Sequence, residues 1–165
     1  MIRQPRGVGY AEGVRMLWLP AVLLLAGCAP APPPRPVEPP KPDPTTESWY
    51  GETVTRLAAM HREAAALVRK GQSDRAAAII TEGQPLLNRV LSAPRPTLAA
   101  MEAASDLDDL YGRMLLANRH YGWARLLFQK NQKRWSAWQP RTADTERRLK
   151  DAVAAIAECD RRLGE

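Results

Sequence analysis

Cysteine is scarce in this chain, with two in 165 residues. Two cysteines build neither a disulfide scaffold nor a four-ligand zinc site. Histidine is as rare. His61 and His120 sit in no H-E-x-x-H or C-x-x-C pattern, so no metal site is expected. Serine elbows, phosphate loops and Gly-rich dinucleotide fingerprints are absent, as are alternating β-branched runs. Long hydrophobic runs are missing too. Residues 16–27 form an uncharged apolar stretch of twelve, and crossing a bilayer takes about 20. These absences point away from catalysis, resident cofactors and a membrane-spanning helix.

Charge is less one-sided than the net +6 suggests. Residues 1–27 hold Arg3, Arg6, Arg15 and Glu12; removing them leaves 21 Lys+Arg against 17 Asp+Glu, a net +4. Much of the basicity therefore belongs to a segment expected to be removed, which weakens the case for a nucleic-acid binder.

The apolar stretch has the length of a signal-peptide core, preceded by three arginines and ending in Leu25-Ala26-Gly27-Cys28. The pattern of an aliphatic residue, two small residues and Cys resembles the lipobox of bacterial lipoproteins. The resemblance covers about the first 30 residues. It implies a diacylglycerol on the Cys28 thiol, cleavage before Cys28 and a mature chain that begins there. Two or three acyl chains hold a protein stably at a membrane, where one holds it weakly. Ala29 follows Cys28, and without Asp there the resemblance implies sorting to the outer membrane in a Gram-negative host, facing the periplasm. The alternative is an ordinary cleaved signal with Cys28 placed by chance. Met16 is a second possible start, with only the amino terminus as positive charge.

Residues 30–44 contain nine prolines in fifteen positions. Proline fixes φ and donates no N–H, so a disordered, polyproline-like linker is expected over residues 28–44. Fifteen residues at about 3.1 Å each reach on the order of 45 Å, enough to lift a domain clear of headgroups. Pro34-Arg35-Pro36 also suits a proline-binding module, but a spacer fits an exported protein better.

Residues 45–165 hold 21 alanines and read as an all-α domain of five antiparallel helices. The first helix is expected from Thr45 or Thr46 to Lys70, stopped by Gly71. The second starts at Ser73 or Asp74, with a kink or break near Gly83-Gln84 because Pro85 removes a donor. Pro96 or Thr97 opens the third, which ends near Ala117. The fourth covers about 121–135. Asp144 and Glu146 suit the start of the fifth, whose stripe is Leu149, Val153, Ile156 and Leu163. Gly112, Ala124 and Phe128, and again Ala64, Gly71, Ala76 and Ile80, fall at positions that resemble tetratricopeptide helical hairpins. The units lie 48 residues apart rather than about 34 and lack the terminal Pro, so an unrelated helical bundle is the alternative.

Six of the ten aromatic residues fall within 111–138, together with Arg113, Arg119, Arg125, Lys130, Lys133 and Arg134 and no acid. By helical phase, Tyr121, Ala124, Leu127, Phe128 and Trp135 form a core face. Trp123 and Leu126 fall instead among basic residues, and need either the fifth helix or another molecule to cover them. Trp123, Arg125, Leu126, Lys133 and Trp138 are the candidate partner contacts. Asp106, Asp108 and Asp109 are too few for a metal site, and an Asp109–Arg113 bridge is their expected use. Cys159 is expected to be buried as a small hydrophobe.

Together these features predict a lipid-anchored envelope protein. Its helical domain would act as a protein-binding scaffold, assembly or pilot module. Its partners would be the membrane through the lipid and an envelope protein, without nucleic acid. The alternative is a structural lipoprotein that binds cell-wall glycan or anionic lipid through residues 111–138.

Overall fold

The computed structural model describes residues 42–164. Cys28, the leader and all but the end of the proline-rich segment lie outside the described residues. A 3-10 turn, Pro44–Thr46, leads into five helices: α1 Ser48–Arg69, α2 Ser73–Leu91, α3 Leu98–Ala117, α4 Tyr121–Ala137 and α5 Ala143–Gly164. The all-helical expectation holds, and no strand occurs among the described residues.

Local chemistry sets most boundaries. Asp43 caps the opening turn by accepting from the Thr45 N–H, and these hydrogen bonds hold its carboxyl below the usual value. Gly71, at φ 73°, takes the left-handed position that ends α1. Thr97 caps α3 by accepting from the Ala100 N–H at 3.3 Å. In α5, Asp144 and Glu146 occupy the first turn, where the helix dipole favours anions.

Of the kink or break expected near Gly83-Gln84, the break does not occur in α2. The helix runs unbroken through Pro85. Ile80, Gly83, Leu87 and Val90 are buried along it and hold both sides of the proline. Pro85 and Thr81, whose carbonyl loses its donor, face solvent.

α1 pairs with α2, α3 packs on both, α4 packs on α3, and α5 on α4. Short turns make consecutive helices antiparallel. One apolar core joins Tyr50, Leu57, Met60, Ala64, Ile80, Leu87 and Leu107 across α1 to α3. A smaller one joins Ala124, Phe128, Ala155 and Cys159 across α4 and α5, with Leu115 and Leu116 of α3 packed on it. Of the small residues singled out in the sequence, Ala64, Ala76, Ala124 and Gly112 are packed between helices, while Gly71 has open space around it. Ala64 and Ala76 are fully buried. A Cβ on Gly112 would lie 2.7 Å from Phe128 Cε1.

α5 corrects a second expectation. Its buried residues are Thr145, Ala152, Ala155 and Cys159. Val153 and Leu163 face solvent instead. Ile156 of the expected stripe does pack against the α4–α5 core, but the buried positions beside it carry small side chains, which let α5 approach α4 closely.

Candidate partner-binding groove

The basic aromatic segment 111–138 divides, in the folded chain, into three surroundings. Helical phase sends Ala124, Phe128 and Trp135 inward, and all three are at most 1% exposed. Leu127 and Tyr121, expected beside them in the core, are only half-buried.

The second surrounding is a buried polar layer between α3 and α4. Asp108, with a side chain 1% exposed, receives Arg134 Nη2 at 2.9 Å and Lys130 Nζ at 3.1 Å. Arg134 also donates to Asn131. Asn131 Nδ2 donates to the Ser105 carbonyl at 3.0 Å, and Trp135 Nε1 donates to Ser105 Oγ at 2.8 Å. Arg134 was expected among the exposed basic residues; its charge is instead neutralised inside. From α5, Arg148 reaches Asp106 Oδ1 at 2.5 Å and stands over the Trp135 ring at 5.4 Å. Every buried side-chain N or O among the described residues has a partner, which is what makes a polar layer tolerable there.

The third surrounding is a surface groove. Tyr111 and Leu115 of α3, His120 of the turn, and Trp123, Leu126, Leu127 and Lys130 of α4 line a cavity of about 520 Å³. α5 does not cover it. Trp123 is 68% exposed and Leu126 54%, high values for large apolar side chains. Residues 123, 126, 127 and 130 follow helical spacing, so one face of α4 presents them together. Tyr111 and Leu115, one turn apart on α3, form the opposite wall.

The candidate contacts thus separate. Trp123 and Leu126 share the groove. Lys133 lies two turns beyond Leu126 on the same side of α4, exposed and without an ion pair among the described residues. Arg125 does not join them: its Nε meets Asp160 Oδ1 of α5 at 2.5 Å. Trp138 is half-buried at the far end of α4, outside the groove lining. Tyr111, Leu115 and His120 were missed as site residues; the Tyr111–Leu115 spacing signals a helical face, but not which helix lies beside it. Asp109 and Arg113 form the expected bridge at 2.7 Å, and that hydrogen bond raises the guanidinium pKa.

No group of three or more His, Cys, Asp or Glu is placed to hold a metal among the described residues. No helix among them is long and apolar enough to cross a membrane. No protein-family model, curated protein or solved structure matches the chain.

Proposed function

We propose that this chain is a lipid-anchored envelope protein whose helical domain captures a partner in the α3–α4 groove. The carrying observation is Trp123 and Leu126, large apolar side chains left open on a groove wall. Contiguous exposed apolar surface on a folded domain marks an interaction site, and Trp is the residue most enriched at binding hot spots. The lipobox resemblance at Leu25-Ala26-Gly27-Cys28 supports a lipid on Cys28 and an outer-membrane location facing the periplasm. The proline-rich segment would then present the domain at a distance from the bilayer. Tethering raises the effective concentration of the groove near other envelope components, so modest affinity suffices. An assembly or pilot role follows from such a device, and the stacked hairpins suit a tetratricopeptide-like scaffold.

Cell-wall glycan fits less well. Sugar recognition needs many hydrogen-bonding groups, and this lining offers four side-chain ones, the Tyr111 hydroxyl, His120, the Trp123 indole N–H and Lys130, of which Lys130 already serves Asp108.

The test is co-purification from crosslinked membranes of the full chain and of Trp123→Ala. The proposal expects a specific envelope protein with the wild type, its loss with Trp123→Ala, and an unchanged far-UV spectrum. An equal yield from both chains would contradict it.

A further inference from the structure

We infer that the groove takes an amphipathic helix with apolar anchors at i, i+3 or i+4 and i+7, flanked by carboxylates. This deepens the proposed partner-capture function and rests on it. Trp123 to Lys130 spans seven residues, about 10 Å of helix, so the apolar wall matches about two turns of a docked segment. Leucines line both sides, and the aromatic Tyr111 and Trp123 stand on opposite walls. That lining suits apolar anchors rather than an extended polar chain.

Charge selects the flanks. No carboxylate lines the groove, and none occurs in residues 111–138. Asp108 serves both Lys130 and Arg134, so that cluster keeps one positive charge in excess. The Lys130 side chain remains 49% exposed at the groove, and an ammonium has three donors of which Asp108 uses one. Lys133 adds a second exposed cation on the Leu126 side. A two-fold contact with a second copy would oppose these lysines to their own mates with no acid between them. A carboxylate-bearing partner meets no such repulsion. A flat anionic membrane would meet the rim cations but leave the concave apolar wall unfilled.

The experiment displays random helical 16-mers and selects them on the full chain in detergent, with Trp123→Ala for counter-selection. Far-UV spectra verify that both chains fold. The expected outcome is enrichment of peptides with apolar i, i+3/i+4, i+7 spacing and Asp or Glu flanks. Their affinity should fall roughly 30-fold or more with Trp123→Ala. It should fall several-fold with Lys133→Glu, and more steeply at low salt than at high. Three outcomes overturn the inference: no Trp123-dependent enrichment, a neutral or basic consensus, or Trp123-dependent binding to phosphatidylglycerol vesicles instead of peptides. If a Trp123-dependent envelope protein still co-purifies in those cases, partner capture stands and only the acidic-helix chemistry fails. If neither is seen, both fail.

Discussion

Gly112→Ala perturbs a close approach between α3 and α4. The new Cβ would lie 2.7 Å from Phe128 Cε1 and 2.9 Å from Cζ. Phe128 is fully buried against Ala155 and Cys159, so its ring has no open direction in which to swing. Overpacking of this kind costs about 1–3 kcal/mol. Alanine in a helix interior returns roughly 1 kcal/mol relative to glycine. The net expectation is a loss of up to about 2 kcal/mol. Gly51→Ala in α1 supplies the contrast, since a Cβ there meets nothing within 4 Å; it should gain about 0.5–1 kcal/mol. Urea titration followed by circular dichroism measures both. In a Phe128→Leu background the Gly112→Ala penalty should shrink, because the clashing ring atoms are gone, and the double-mutant cycle reads that coupling. A Gly112→Ala chain stabilised as much as Gly51→Ala would refute the close packing of Gly112 on Phe128.

Three further outcomes follow from the polar and buried groups. Asp108→Ala should destabilise the fold by about 3–5 kcal/mol, because it leaves Arg134 buried without its anion; replacing Asp108 and Arg134 together by Leu and Met should cost clearly less in the same urea assay. Cys159 is fully buried, and desolvation raises its pKa; a thiol reagent should label it slowly in the native chain and rapidly in urea. Asp144, held by Arg148 and Arg147, and Glu158, held by Arg162 and Arg161, both have lowered pKa values. Their contribution is present above the ordinary carboxylate pKa and lost as pH falls through the lowered values. Stability should therefore fall with acid below about pH 4, and Asp144→Asn should flatten part of that loss.

What the sequence disclosed was mostly local. Gly71 after Arg69-Lys70, Thr97 after Pro96, and Asp109 four residues before Arg113 carry their meaning within one or two turns, and each lies where that chemistry places it. Pairings across helices were hidden. Nothing near Asp108 in sequence points to Arg134, and nothing near Arg125 points to Asp160; both depend on which faces of α3, α4 and α5 meet. The same cause misplaced the α5 stripe, where Ala152, Ala155 and Cys159 pack more closely than Val153 and Leu163. Trp123 and Leu126 were legible as apolar residues out of phase with the core. That α5 leaves them open, and that Tyr111 and Leu115 complete the groove, required the packing itself. Pro85 allows a kink or a break by local propensity, which weighs one hydrogen bond; burial on both sides of it keeps the helix continuous.

The proposed function depends on a lipid anchor at Cys28. The intact mass of the full chain, expressed in its host and taken from the membrane fraction beside Cys28→Ser, tests it most directly. The expected result is a mature chain that starts at Cys28, carries acyl mass there, and partitions into detergent, with Cys28→Ser unprocessed or unacylated. An unmodified wild type that remains soluble and still carries residues 1–27 would contradict it.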